Sequence, residues 1–265
     1  LSACLREMLT TQLESIRRGE MIIVHDEAVR YLKSFHEIIG EATARHLVRQ
    51  GHRVVLGARR IERLQALAEE LAGEAGRVAY RALDVTRFDQ MQAFADVAES
   101  TFGPVDVIVN NAGVMPLSPL NALKLGEWNR MIDVNVRGVL HGIAAVLPGM
   151  EARRRGHVIN VSSIGGHAVS PTAAVYCATK YAVRAISDGL RQETDCIRVT
   201  VVSPGVVESE LADTISDEAT RDLVKAYRRI AIQPDAIARA IGYAIEQPDD
   251  VDVNELIVRP TASPH

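Results

Sequence analysis

Cysteine is scarce in this chain of 265 residues. The three cysteines, Cys4, Cys177 and Cys196, form neither a paired disulfide framework nor a metal-ligand spacing. A sparse, odd count is typical of proteins that work in a reducing compartment. We therefore expect a cytoplasmic protein, and we expect no metal site.

A strong charge of one sign and long apolar runs are also missing. The formal net charge is −4, which gives no reason to expect nucleic acid or an anionic membrane as a partner. No apolar run approaches the length of a membrane span. Residues 1–20 carry Glu7, Glu14 and Glu20 without a long apolar core, so a secretory signal is not expected. Because the chain begins with Leu1 rather than Met, a fragment or a processed end stays an open interpretation.

What is present is an alternation of short β-branched runs with stretches of helical periodicity, from about residue 40 onward. This alternation predicts α/β architecture: one doubly wound, Rossmann-like domain whose parallel sheet carries helices on both faces. In such a fold, ligands bind beyond the carboxyl ends of the strands. The predicted strands are 52–58, 76–85, 105–113, 156–163, 197–205 and 253–260. The predicted helices include 61–73, 88–103, a long region that ends near residue 150, and 174–194.

The first part of the chain fits this alternation less well. Helical spacing relates the apolar residues Leu5, Met8, Leu9, Leu13 and Ile16. We therefore assign residues 1–26 to an atypical N-terminal segment, helical in part, and residues 27–265 to the Rossmann domain. The run MIIV at 21–24 has the composition of a strand. Strand one is nevertheless expected at 27–32, because that segment directly precedes the expected nucleotide-binding turn.

Polar side chains of a particular kind follow the predicted strands. The motif NNAG occupies 110–113, after a central strand. Asn135 lies in the long helical region, and Ser163 ends a strand. Tyr176 and Lys180 belong to the motif YCATK at the start of a helix, and Tyr176 follows Ser163 by 13 positions. Each feature alone has an ordinary structural interpretation, such as a cap, a turn or a chance pair on a helix. Their joint occurrence in this order is far more specific.

With these motifs the sequence resembles the short-chain dehydrogenase/reductase family, over about residues 40–260. The family's marks include NNAG, a serine and YxxxK, and PGVVES at 204–209 resembles its PG motif, which meets the nicotinamide. The resemblance implies an oxidoreductase with catalytic residues Asn135, Ser163, Tyr176 and Lys180. It also implies that Asn135 holds a water linking Lys180 to solvent, and that Lys180 grips the nicotinamide ribose.

The chemistry explains why these residue types are needed. Hydride transfer to a carbonyl carbon requires a proton at its oxygen, and a free tyrosine hydroxyl has a pKa of about 10. A lysine one helical turn away lies on the same face and favours the phenolate, so we expect Lys180 to lower the pKa of Tyr176. Ser163 can donate a hydrogen bond to the substrate oxygen and hold it against Tyr176.

The end of strand two indicates the choice of cofactor. NAD-preferring enzymes usually place an acid there, but this chain has Ala58 followed by Arg59 and Arg60. Guanidinium groups suit a 2′-phosphate, so we expect NADP(H) rather than NAD(H). By resemblance, Asp84 hydrogen-bonds the adenine. The expected cofactor-binding residues are Gly40, Arg59, Arg60, Asp84, Asn111, Ala112, Gly113, Tyr176, Lys180, Pro204, Gly205, Val207 and Ser209.

Glycine is missing where the cofactor needs it most. The family's turn reads TGxxxGxG. If Gly40 is its last glycine, Ser34 and Ile38 stand at the first two. Early glycines let the backbone turn tightly and approach the pyrophosphate, whereas a β-branched residue there projects bulk. Three explanations stay open: another loop supplies the contacts, the protein is a degenerate member, or the residues before Ile39 do not reflect the natural sequence. HEIIG is not a zinc motif, because Gly40 stands where HExxH needs histidine.

The functional prediction is an alcohol–carbonyl oxidoreductase that uses NADP(H) and a small-molecule substrate. The alternative is a degenerate, non-catalytic member that acts as an oligomeric binding module, and a third interpretation is an enzyme rescued by its own N-terminal segment. Residues 212–230 should form helices that cover the substrate. The closing residues 233–261 resemble a branch that acts on small hydroxy acids and aldehydes. By resemblance, helices at about 121–150 and 174–194 pack against a partner, giving a homodimer or homotetramer.

Overall fold

The computed structural model describes residues 21–26, 39–75, 77–208 and 215–263. Within these ranges the chain forms a seven-stranded sheet whose pairings are all parallel. The strands are β1 Met21–Asp26, β2 Arg53–Ala58, β3 Val78–Ala82, β4 Val107–Asn110, β5 Gly156–Val161, β6 Ile197–Pro204 and β7 Glu255–Val258. The α-helices are α1 Ile39–Arg49, α2 Ile61–Ala75, α3 Phe88–Phe102, α4 Leu125–Ile132, α5 Gly138–Arg153, α6 Ala174–Glu193, α7 Glu218–Tyr227 and α8 Asp235–Ile245.

The sheet has the strand order β3-β2-β1-β4-β5-β6-β7. The order reverses between β1 and β4, so the chain winds outward in both directions from that point. Because every strand is parallel, all carboxyl ends lie along one edge of the sheet. A crevice for a ligand forms outside that edge where the order reverses. The predicted α/β, doubly wound architecture is confirmed.

Strand one is formed by Met21–Asp26 and not by the predicted residues 27–32. Met21–Asp26 takes the place between β2 and β4, where Ile22 is in register with Val54 on one side and with Val107 on the other. The prediction of strand one at 27–32 was wrong. A central parallel strand favours a continuous apolar run, which MIIV supplies, whereas 27–32 contains Glu27 and Arg30. The division of the chain at residues 26 and 27 therefore leaves a sheet strand on the N-terminal side, and a helix within 1–20 lies outside the described residues.

Two apolar layers cover the two faces of the sheet. On one face α3, α5 and α6 contribute fully buried side chains such as Phe94, Met150 and Val183. On the other face α1, α2 and α8 contribute others, such as Leu47 and Ile241. The strands β2, β4, β5 and β6 are buried between these layers, which fixes the positions of their carboxyl ends. The functional residues therefore sit on a rigid edge.

The helical stretch Leu125–Arg153 has the length and composition of a membrane span, in contrast to the sequence expectation. A little under half of its most apolar window is buried inside the protein. Val139, Ile143 and Met150 of this stretch belong to the core layer that covers β4 and β5. Core helices of globular folds pass the same length and composition test, and this helix packs as one.

Candidate active site

Ser163 lies just beyond β5 and caps the short turn that follows. Its backbone is extended, and its Oγ accepts a hydrogen bond of 3.1 Å from the backbone N–H of Gly165. The Ser163 side chain also lies beside that of Tyr176 and acts to lower the pKa of the phenol. A Cβ at Gly165 would lie 3.3 Å from Cε1 of Tyr176 and 3.5 Å from Oγ of Ser163, so a side chain there would crowd this contact. Ser163 therefore caps the turn Ile164–Gly166 and also lies next to Tyr176.

Tyr176 and Lys180 lie on one face of the first turns of α6. Both are buried, with 7% and 5% of their surface exposed. Nζ of Lys180 donates a hydrogen bond of 2.9 Å to the carbonyl of Val161, the last residue of β5. The same Nζ lies 5.9 Å from the centroid of the Tyr176 ring. The end of β5 and the start of α6 thus bring serine, phenol and ammonium groups together.

Asn135 lies in a π-helical turn, Asp133–Arg137, between α4 and α5. Its Oδ1 accepts a hydrogen bond of 2.8 Å from the N–H of Val114, and its Nδ2 donates to the Val114 carbonyl and to Oγ1 of Thr179, both at 3.0 Å. Thr179 in turn donates to the backbone carbonyl of Tyr176 at 2.7 Å. Wider π-turns recur at functional sites. Asn135 here links the segment after β4 to α6, and no pattern in the sequence indicates Thr179 as the linking residue.

Burial shifts the pKa values of both Tyr176 and Lys180. The pKa of Tyr176 is raised to about 12, mainly because burial disfavours the phenolate, although the neighbouring Ser163 lowers it. Burial also lowers the pKa of Lys180 to about 8. The net shift of the Tyr176 pKa is therefore opposite to the expected lowering, because burial of the phenol is its largest cause.

The other predicted cofactor residues that the structure describes lie along the same edge of the sheet. Gly40 is the second residue of α1, and Arg59 and Arg60 directly follow β2. Asp84 lies beyond β3, where its Oδ1 accepts hydrogen bonds from the N–H and the hydroxyl of Thr86. Asn111, Ala112 and Gly113 follow β4, Pro204 ends β6, and Gly205 and Val207 come next. Ser34, Ile38 and Ser209 lie outside the described residues.

The backbone of Gly113 lies close to two of the predicted catalytic side chains. A Cβ on Gly113 would lie 3.6 Å from Nζ of Lys180 and 3.6 Å from Oδ1 of Asn135. The end of the NNAG motif therefore lies beside Lys180 and Asn135. In the described parts of the chain, no group of three or more His, Cys, Asp or Glu side chains is arranged to hold a metal ion.

Comparison with known proteins agrees with this geometry. The family model of short chain dehydrogenases matches residues 36–220. The chain belongs to the short-chain dehydrogenase family. This short-chain dehydrogenase is 49% identical over 228 residues to an uncharacterized oxidoreductase of Staphylococcus saprophyticus, covering 84% of this chain and 92% of the relative. The family resemblance predicted from the sequence is confirmed, and the protein is an oxidoreductase of this type.

Solved structures of short-chain dehydrogenases share the fold. One is an alcohol dehydrogenase from the archaeon Thermococcus sibiricus complexed with 5-hydroxy-NADP, with a TM-score of 0.80 and 29% identity, covering 92% of this chain and 97% of that one. Another is a serine dehydrogenase complexed with NADP+, with a TM-score of 0.79 and 30% identity, covering 90% of this chain and 94% of that one. Structural neighbours of this short-chain dehydrogenase thus bind nicotinamide cofactors.

Proposed function

We propose that this short-chain dehydrogenase interconverts a small alcohol and its carbonyl compound with NADP(H). The observation that carries the proposal is that Ser163, Tyr176 and the buried Lys180 lie side by side at the carboxyl edge of the sheet. Such a group can bind one carbonyl oxygen and deliver one proton to it. When bound, the nicotinamide supplies the hydride for reduction or accepts it for oxidation.

Each side chain has one role in this proposal. Tyr176, neutral at physiological pH because of its raised pKa, donates its proton to the carbonyl oxygen as a general acid. Ser163 donates a hydrogen bond to the same oxygen and fixes its position. An ammonium group has three donors, and Lys180 directs one to the Val161 carbonyl, which leaves others for the ribose hydroxyls. Asn135 hydrogen-bonds to Val114 after β4 and to Thr179 on α6, and so keeps these two segments together.

NADP rather than NAD is the proposed cofactor. Arg59 and Arg60 follow β2, and Ala58 stands where a carboxylate would hold the adenosine ribose. Two guanidinium groups at this place can make forked, charge-assisted hydrogen bonds with a 2′-phosphate. The two solved neighbours complexed with NADP or its 5-hydroxy derivative support the same choice.

A homodimer or homotetramer is the proposed assembly. Large apolar side chains are exposed on the helices that the resemblance assigns to a partner contact: Ile132 on α4, Leu140 on α5 and Tyr181 on α6 are each about 40% exposed or more. Packing these faces against a second copy would remove them from water. Sedimentation analysis of the full chain would show two or four copies, and a monomer at micromolar concentration would contradict the assembly.

Nucleotide titration is the experiment that tests the proposed function. NADPH fluorescence is followed as the protein is added, and NADPH oxidation is then measured with methylglyoxal, glyceraldehyde and 4-nitrobenzaldehyde. We expect saturable binding of NADPH, weaker binding of NADH, and oxidation that depends on Tyr176. No binding of either nucleotide at millimolar concentration would contradict the proposal.

The second candidate function is a non-catalytic, oligomeric binding module. It is favoured by one observation, the replacement of the first two glycines of the phosphate-binding turn by Ser34 and Ile38. The same titration separates the two, when it is repeated on the Ser34→Gly, Ile38→Gly double variant. Binding that appears only in the double variant supports the non-catalytic module, whereas binding in both supports the enzyme.

A further inference from the structure

The carboxylate of Glu255 on β7 contacts α6, β6 and the turn that follows Ser163. Glu255 is the first residue of β7, and its Oε1 lies 2.8 Å from Nε2 of His167 and 3.2 Å from Nε of Arg184 on α6. The same oxygen accepts a hydrogen bond of 3.1 Å from the hydroxyl of Ser203 on β6. Its second oxygen, Oε2, lies 3.4 Å from Nη2 of Arg184. We call these four residues the Glu255 cluster.

The Glu255 cluster is bonded to the turn that carries Ser163. Nη1 of Arg184 donates a hydrogen bond of 2.8 Å to the carbonyl of Gly166. The N–H of Gly166 donates in turn to the backbone carbonyl of Ser163 at 2.8 Å. His167 is the next residue of the turn, and its side chain meets Glu255 directly. Two consecutive residues of the turn are therefore held by the cluster, one through its carbonyl and one through its side chain.

The turn that the Glu255 cluster binds also packs closely against α6, which carries Tyr176 and Lys180. A Cβ at Gly166 would lie 2.8 Å from Oγ of Ser162 and 3.0 Å from the carbonyl of Lys180, so the turn rests against the backbone of α6. The hydroxyl of Ser162 donates to the same Lys180 carbonyl at 3.0 Å. A shift of the turn on α6 would change the distance between Ser163 and Tyr176. A misplacement of about 1 Å at such a contact can cost about 100-fold in rate.

We infer that Glu255, acting through Arg184 and His167, is a positioning residue that fixes the Ser163 turn against α6. The inference deepens the proposed function and rests on it for its catalytic meaning. The Glu255 side chain is 28% exposed and those of its partners His167 and Arg184 are 20% and 29% exposed, so the cluster is partly shielded from water. A partly shielded carboxylate with three donors holds a defined geometry better than an exposed ion pair.

The chain offers a matched control in Asp252, a second carboxylate that pairs with an arginine of α6. Arg191 of α6 lies 3.3 Å from Oδ2 of Asp252, with side chains 24% and 27% exposed. Oδ1 of Asp252 accepts a hydrogen bond from the N–H of Val199 on β6, so this carboxylate also ties α6 to β6. Within the described residues, no hydrogen bond or ion pair joins Asp252 to the Ser163 turn. The Asp252→Asn variant therefore reports the loss of a similar ion pair without the proposed positioning effect.

Amide hydrogen exchange of the full chain tests the inference without any substrate. In Glu255→Gln we expect the amides of residues 165–168 to exchange about tenfold faster than in the wild type, because their turn opens more often. Arg184→Lys should give the same local increase, since a compact ammonium lacks the rigid fork with which Arg184 contacts both oxygens of Glu255 and the Gly166 carbonyl. Asp252→Asn should leave these amides unchanged. Equal exchange of residues 165–168 in Glu255→Gln and Asp252→Asn would overturn the inference.

Kinetics with NADPH and 4-nitrobenzaldehyde test the catalytic meaning. Glu255→Gln should lower kcat about tenfold and leave the Kd for NADPH within about twofold, whereas Asp252→Asn should change neither. An unchanged kcat in Glu255→Gln, in an enzyme that Tyr176→Phe inactivates, would overturn the inference and leave the proposed function standing. If the wild type binds no nucleotide, the proposed function fails, and hydrogen exchange still decides whether Glu255 holds the turn.

Discussion

Replacing Asn135 by alanine tests how the active site is held together. Asn135 is 1% exposed and makes three side-chain hydrogen bonds, two with the backbone of Val114 and one with Thr179. Each such bond contributes about 1 kcal/mol net, and a buried N–H or C=O left without a partner costs about 1–3 kcal/mol. Val114 is fully buried, so water cannot replace the amide. We expect Asn135→Ala to lower the free energy of unfolding by about 3–5 kcal/mol.

Urea unfolding followed by circular dichroism measures this loss, and Asn129→Ala is the matched control. Asn129 is exposed on the adjoining helix α4, where alanine is the better helix former, so its substitution should change the free energy of unfolding by no more than about 0.5 kcal/mol. Asn135→Asp should also destabilise the fold, because a carboxylate oxygen would face the Val114 carbonyl. A loss below about 1 kcal/mol in Asn135→Ala would refute the reasoning that this amide is a structural anchor.

Three further predictions concern protonation, cofactor choice and packing. Because the pKa of Tyr176 is raised to about 12, alcohol oxidation, which needs the phenolate, should rise about tenfold per pH unit from pH 6 to pH 8, while carbonyl reduction keeps the neutral phenol as its acid. Above pH 8 the rise should flatten, because the pKa of Lys180 is lowered to about 8 and the ammonium that holds the ribose loses its charge. Joint Arg59→Ala and Arg60→Ala substitution should raise the Kd for NADPH about 10- to 100-fold in a fluorescence titration, with NADH little affected. In Gly142→Ala, the new Cβ would lie 2.0 Å from Oδ1 of Asn110, so unfolding by urea should show a loss of about 1–3 kcal/mol.

Each of these predictions has an outcome that contradicts it. An oxidation rate that is already flat at pH 7 would show a phenol with a pKa below neutrality. Equal losses of NADPH and NADH binding would place the two arginines away from the 2′-phosphate. For the glycine, Gly126→Ala is the control, since none of the described residues has an atom within 4 Å of its Cβ position in α4 and the substitution should stabilise the helix. Equal stability of the two alanine variants would contradict the packing argument.

The sequence predicted the sheet and the residues at its edge because these depend on local pattern. Strands such as Val107–Asn110 are short apolar runs between amphipathic helices, and that alternation admits few folds. The spacing of Ser163, Tyr176 and Lys180 follows from a strand end and a helix start that are near in sequence. Local patterns of this kind can be interpreted from one chain alone.

The remaining features depend on contacts or burial that no local pattern encodes. Strand one was misplaced because the expected turn next to Gly40, rather than the apolar run of Met21–Asp26, was used to locate it. The pKa of Tyr176 was given the wrong direction because the expectation counted the charge of Lys180 but not the burial of both groups. Glu255 and its partner Arg184 are 71 positions apart, so only the folded sheet brings them together.

The rate of NADPH oxidation in Tyr176→Phe tests the central claim most directly. The variant removes one hydroxyl from a buried ring, and NADPH fluorescence gives the cofactor Kd of both proteins under the same conditions. We predict that the rate falls at least about 100-fold with the Kd for NADPH nearly unchanged, because the proton donor is lost and the binding site is kept. If Tyr176→Phe oxidises NADPH at the wild-type rate in the presence of a carbonyl substrate, the account is contradicted.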